Sequence, residues 1–195
     1  MADVAALSQT SSRTSYDAVA AALHWLLAVL IAVTFCIGLT MVELTFSALR
    51  VRLYNWHKWL GVAILVLSTA RILWRVRGHP PPPIQSSMPA WQRSALRGTH
   101  WAFYGLFFVV PLLGWAYTSA VGVPVVLFGW LPLPDLAARD KAFGDEVLKP
   151  LHAASSWLLA AIVVGHTAAA CKHHFIDRDD VLARMWPWWP SRPQS

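Results

Sequence analysis

Charge is scarce in this chain. Of its 195 residues only 13% are Asp, Glu, Lys or Arg, about half the share usual in soluble domains. Cysteine is scarcer still: Cys36 and Cys171 are the only two, and both lie in apolar runs. That excludes a disulfide scaffold and a cysteine-based zinc motif, and both thiols read as small buried residues. No glycine-rich phosphate loop and no solenoid-type repeat occurs. Carboxylates are missing at membrane depth. A hydrolase would therefore lack an Asp or Glu as general base, and a metal transporter would lack its expected midplane acids.

What is present is apolar surface and tryptophan. Hydrophobic residues make up 56% of the chain, and 12 residues are Trp. Several of these lie near the ends of apolar runs, where an aromatic belt belongs. The formal net charge is +6. Its positive residues flank apolar spans rather than gathering on a soluble domain, so they speak for orientation in a lipid bilayer and against nucleic acid.

Four membrane helices are expected. The first, 18–42, holds no Asp, Glu, Lys or Arg and is long enough to cross a hydrocarbon core of about 30 Å. Only Arg13 precedes it as a positive charge, which argues against a signal peptide. The second, 57–75, carries Arg71 in its tail and is stopped by Arg77-Gly-His-Pro-Pro-Pro-Pro, since proline cannot continue a helix and favours a stiff spacer. The third, 99–120, contains Pro111, which predicts a kink. The fourth, 150–175, opens on Pro150, a good first-turn residue. Between the last two, 121–136 is apolar but broken by Gly122, Pro124, Gly129, Pro132 and Pro134, and reads as an interfacial loop. Trp186-Pro-Trp-Trp-Pro reads as an interfacial anchor. The fold class is thus all-α, a four-transmembrane-helix bundle over 18–176. Short segments, 1–17 and 177–195, flank it.

Four spans put both termini on one side. That side, Arg71 included, carries ten of the 16 Lys and Arg, and the other carries six together with Asp135, Asp140, Asp145 and Glu146. The positive-inside rule makes both termini of this multi-pass protein cytoplasmic.

Orientation turns sequence position into depth. The first helix runs outward with His24 near its cytoplasmic start, and the second runs inward with His57 at its outer start. In the inward-running fourth, fourteen residues separate His152 from His166, both within the uncharged run from Leu151 to Cys171. That is about four turns and roughly 21 Å of rise, returning to nearly the same face. A neutral imidazole in lipid needs a partner or a task. His57 matches His152 in depth on the outer side, and His24 matches His166 on the inner side. Bis-histidine haem ligation needs two imidazoles facing each other across a bundle, so these four suit the axial positions of two haem irons. Zinc would want ligands converging on one point.

Three further residues attach to these sites. Arg71 follows His57 by fourteen residues and so shares its face at the inner depth. A buried guanidinium needs an anion, which a haem propionate would supply; snorkelling to the interface is the other reading. His100 opens the third helix without a depth-matched partner. It reads as a hydrogen-bonding group near the inner haem or as an interface residue. His173 suits a propionate or quinone-head contact, or a positive flank beside Lys172. His79 and His174 read as solvent-facing.

Several short motifs now add up. They are His24-Trp25, His57 with Gly61, Ala70-Arg71-Ile-Leu-Trp-Arg75 before the prolines, and His100-x3-Tyr104 with Pro111-x2-Gly114. Leu151-His152, Gly165-His166-x6-His173-His174 and Leu182-Ala-Arg-Met185-x-Pro187 complete the set. Together, from about Tyr16 to Pro187, they resemble the bacterial cytochrome b561 family. The resemblance implies two b-type haems with His24, His57, His152 and His166 as axial ligands, and Arg71 and His173 as quinone-site or propionate contacts. For a chain of four helices and little else it also implies a superoxide oxidase activity, in which electrons pass from periplasmic superoxide to ubiquinone. The family includes the cytochrome b subunits of nickel-iron hydrogenases, so the alternative is a haem b anchor and electron-transfer subunit for a dehydrogenase or hydrogenase partner.

Superoxide is a small anion. Arg50, Arg52 and Lys58, on the expected outer side beside His57, would raise its local concentration; ordinary exposed arginines and an interface lysine are the plainer reading. Trp56 and Trp59 would narrow the gap to the outer haem or simply serve the aromatic belt. His173 or His100 is positioned in sequence to relay a proton to reduced quinone.

Overall fold

The computed structural model describes residues 16–78, 89–178, 182, 185 and 186. The sequence readings of Arg13, the proline spacer with His79, and the tail after Trp186 fall outside these residues. Helix α1 spans Ala18–Glu43, and the Asp17 side chain accepts from the Ala20 amide at 2.9 Å at its start. Helix α2 spans Ala48–Val76 and α3 spans Ala90–Ala120. A fourth helical stretch, α4, covers Lys141–Asp177. Its regular part is Lys149–Lys172, with wider π-type turns at Gly144–Leu148 and His173–Asp177. All four are long and apolar enough to cross a membrane.

The boundaries differ from those expected at three places. Helix α2 begins at Ala48, not near 57, because the Ser47 hydroxyl accepts from the Arg50 amide (3.3 Å) and caps the new start. Arg50 and Arg52 therefore ride on the helix rather than in a loop, and His57 sits in its third turn rather than its first. Helix α3 starts at Ala90, nine residues before 99, since nothing from Trp91 to Gly98 breaks a helix. Its course is continuous through Pro111, which packs against Gly61 of α2; a Cβ added there would lie 3.8 Å from the proline Cβ. The fourth helix gains the turns before Pro150, where Asp140 caps the Phe143 amide at 3.0 Å.

Close packing of the helix backbones follows chain order, α1 on α2, α2 on α3 and α3 on α4. Helix α4 reaches α1 and α2 through side chains, as in the edge-to-face pair Phe35 and Trp157 (ring centres 5.1 Å). One buried cluster joins all four: Leu27 and Ile31, Ile64, Phe103, and Leu159. Its place follows from spacing. Ile64 lies seven residues from both His57 and Arg71, and Leu159 lies seven from both His152 and His166. Two helical turns per step keep each residue on the histidine face, midway in depth. Val66, Trp157 and Val164 face outward, more than half exposed, as apolar side chains do where lipid replaces water. Cys36 and Cys171 belong to that outer surface. The reading of both as buried is thereby corrected: in a bundle coated by lipid, an apolar neighbourhood in sequence does not mean burial.

The stretch 121–136, expected to be an irregular loop, contains a short antiparallel hairpin. Strand β1 (Val126–Leu127) pairs with β2 (Leu131–Pro132). The turn puts Phe128 and Gly129 at positive φ, 54° and 83°. Glycine takes that conformation without penalty, whereas phenylalanine pays about 1 kcal/mol for it. Phe128 recovers part of this by packing on Trp59 (ring centres 5.5 Å). Helix side chains satisfy the carbonyls of the connection. Lys58 Nζ donates to Pro124 (3.0 Å), Trp59 Nε1 to Val126 (2.7 Å) and Trp115 Nε1 to Pro134 (3.1 Å).

Candidate functional site: two layers of histidine

The outer layer is His57 on α2 facing His152 on α4, with ring centres 6.0 Å apart and planes at 87°. Each ring is held by a main-chain carbonyl of a third or fourth helix. His57 Nδ1 donates to Thr34 of α1 (3.0 Å), and His152 Nδ1 donates to Val110 of α3 (2.9 Å). A carbonyl only accepts, so Nδ1 carries the proton and Nε2 keeps its lone pair. This is the arrangement that orients a metal-binding imidazole. Glycines make the room. A Cβ at Gly38 would lie 3.0 Å from His57 Cε1, and one at Gly114 would lie 2.9 Å from His152 Cε1.

The inner layer is His24 on α1 facing His166 on α4, with ring centres 6.3 Å apart and planes at 64°. His24 rests edge-on against Trp25 (5.4 Å), and Phe103 meets His166 edge-on at 5.3 Å. His100, which depth matching leaves without a partner, joins this layer. Its ring centre is 6.0 Å from that of His166, and its Nδ1 donates to the Leu96 carbonyl (2.8 Å). Trp25 Nε1 donates to the Met185 carbonyl (3.1 Å), tying the end of the described chain to the inner side.

The donor sets suit haem iron. A first-row metal sits about 2 Å from an imidazole nitrogen and that nitrogen about 1 Å from its ring centre, so rings sharing a metal have centres about 6 Å apart. His57 with His152 and His24 with His166 meet that spacing, and so does His100 with His166. Among the described residues no group of three or more His, Cys, Asp or Glu is placed to hold a bare metal ion.

The remaining candidates are placed as follows. Arg71 is half-buried, with Tyr104 among the groups that interact with it electrostatically. His173 Nδ1 lies 3.2 Å from Asp177 Oδ2, beside the ion pair of Lys172 with Asp177 (2.6 Å). His174 packs against Phe175 at 4.8 Å. The Arg50 guanidinium lies 5.6 Å from the Tyr54 ring centre, and Arg52 is exposed. The Lys58 ammonium donates to the Pro124 carbonyl, which holds the charge in place beside the hairpin. The carbonyls of Thr34 and Val110 were invisible to sequence reasoning, because any residue supplies a carbonyl. Gly38 carried no signal, whereas Gly114 stood in a motif without a stated reason for its size.

A family model described as prokaryotic cytochrome b561 matches residues 15–188. The chain belongs to that family. It is 36% identical over 180 residues to "Cytochrome b561 homolog 2" of Escherichia coli (strain K12), covering 92% of this chain and 95% of that one. It is 30% identical over 177 residues to "Probable superoxide oxidase CybB" of Yersinia pestis, covering 88% and 96%. A third relative, "Cytochrome b561 homolog 1" of Escherichia coli (strain K12), is 27% identical over 174 residues, covering 85% and 93%. The protein is therefore an all-α membrane cytochrome of four spanning helices. Its family carries b-type haem and performs quinone-linked electron transfer in the membrane.

Proposed function

We propose that the chain is a superoxide:ubiquinone oxidoreductase of the bacterial inner membrane, with both termini cytoplasmic and two haems per chain. The two facing histidine pairs, one at each depth, carry this reading. His57 and His152 hold the outer haem, and His24 and His166 hold the inner one. When bound, haem supplies a carrier that accepts and passes on one electron at a time. Two superoxide anions become two molecules of dioxygen, and one ubiquinone takes up the two electrons with two protons. The protein's own part is to position, insulate and steer. The Thr34 and Val110 carbonyls keep the outer imidazoles protonated at Nδ1, so that Nε2 would be the nitrogen available to hold iron. Arg71 would neutralise a propionate on the inner side, and His100 and His173 would serve as propionate or quinone contacts and carry protons towards the reduced quinone. The 30% identity to a probable superoxide oxidase supports the choice of donor.

The decisive experiment is to purify the chain, measure haem stoichiometry and visible spectra, and then add a superoxide source with and without ubiquinone. Two low-spin b haems per chain, reduced by superoxide and reoxidised by ubiquinone, are expected. Two haems that superoxide leaves oxidised would make the chain a haem b anchor fed by a dehydrogenase or hydrogenase subunit. Loss of charge at the outer end gives a second check. The double substitution of Arg50 and Arg52 to Gln is expected to slow reduction by superoxide roughly threefold at low ionic strength, and less as salt rises. A rate unchanged at low salt would remove both arginines from the steering role.

A further inference from the structure

Near the end of α2, opposite a point about four turns into α3, Arg75 and Arg71 both approach the Tyr104 phenol. Arg75 Nη1 donates to the Tyr104 hydroxyl at 2.9 Å, and its guanidinium carbon lies 5.8 Å from the ring centre. Arg71, one turn back on α2, lies near enough to the same phenol to interact with it electrostatically. Neither α2 nor α3 contains a single Asp or Glu. Asp17, which reaches this end of the bundle from α1, is engaged with the Ala20 amide and the Trp74 indole (3.0 Å). Cations four residues apart on one helix repel each other, and nothing from either helix neutralises them. A phenol oxygen that accepts from a guanidinium keeps its own proton to donate. The Arg75 cation and this O–H donor make a seat for an anion.

Exposure says from which side that anion comes. Arg71 is half-buried towards the inner histidine layer, whereas Arg75 is exposed. Trp101 stands beside Tyr104 with ring centres 6.4 Å apart and is also exposed, at 76%. An indole at the lipid surface next to an arginine at a helix end is the composition of a headgroup site, where the ring sits at the glycerol level and the cation meets phosphate. Arg97 precedes Tyr104 by seven residues and so continues the same α3 face outward from the bilayer.

We infer that Arg75, Tyr104 and Trp101 form a binding seat for the phosphate of an anionic phospholipid in the groove between α2 and α3. The site is separate from the histidine layers and does not depend on which donor feeds them. Tyr104 is bonded to Arg75 on the lipid side and stands near Arg71 on the inner side.

The test is native mass spectrometry of the purified haem protein after exchange into nanodiscs of phosphatidylcholine mixed with phosphatidylglycerol. Wild type is expected to retain phosphatidylglycerol, and Arg75→Gln to retain it about fivefold less, with two haems and an unaltered visible spectrum in both. Equal retention of the two lipids by wild type, or unchanged phosphatidylglycerol on R75Q, would overturn the inference. So would an R75Q protein that keeps its lipid but shifts or loses the inner haem, since the seat would then belong to a propionate. If R75Q does not fold, Tyr104→Phe, which removes one oxygen, carries the same comparison.

Discussion

Replacing His152 by alanine is expected to remove one of two haems and leave the other. Stoichiometry should fall from two to one per chain, and superoxide-driven ubiquinone reduction should fall by at least about a hundredfold, because the outer relay is broken. The selectivity comes from the depth separation. His152 faces His57 and bonds Val110, and its links lie in the outer layer. The midway cluster of Leu27, Ile31, Ile64, Phe103 and Leu159 stands between it and His166. His166→Ala should give the mirror result, losing the inner haem and keeping a superoxide-reducible outer one that no longer passes electrons to quinone. Haem extraction with redox titration checks both. If either variant lost both haems while remaining folded and helical, the two layers would not be independent sites.

Gly114→Ala is expected to damage the outer site nearly as much with a single methyl group. The added carbon would lie 2.9 Å from His152 Cε1 and 3.1 Å from its Nδ1. The ring has little freedom to yield, because Nδ1 is anchored to Val110 on the same helix as the glycine. Overpacking of this kind costs about 1–3 kcal/mol, and here the strain falls on the ligand itself. The outer haem should be lost, or its low-spin spectrum should become partly high-spin. Gly38→Ala meets His57 Cε1 at 3.0 Å and should act the same way more weakly. Gly105 and Gly165 serve as controls, since a Cβ at either meets nothing within 4 Å; alanine there should leave both spectra unchanged. An unperturbed outer haem in G114A would mean that the imidazole stands elsewhere when iron is bound.

The spanning helices and the histidine layers were legible because they rest on long-period patterns. Uncharged runs fix the spans, and multiples of seven residues keep one face, so a fourteen-residue spacing survives errors of several residues at a helix end. The ends themselves were not legible. Arg50 and Arg52 made the start of α2 look like a loop, although a serine cap and an apolar face make it helix. His100 was left over because the other four histidines already matched in two pairs; with α3 starting at Ala90 it lies nearly three turns inside the helix. The carbonyl anchors of Thr34 and Val110 leave no trace in side-chain identity. The hairpin was hidden for another reason: its register depends on indole and ammonium donors fifteen or more residues away, on α2 and α3.

The apolar plug between the layers has an electrical consequence. Leu27, Ile31, Ile64, Phe103 and Leu159 offer no chain of hydroxyls or carboxylates along which a proton could hop. On the proposed two-haem reading, charge crossing these five side chains would cross as electrons. Electron transfer from the outer to the inner layer is then electrogenic, and an inside-negative voltage opposes it by up to about 2.3 kcal/mol for each electron per 100 mV. The turnover of such a cytochrome would slow as the cell energises its membrane and quicken when the voltage collapses.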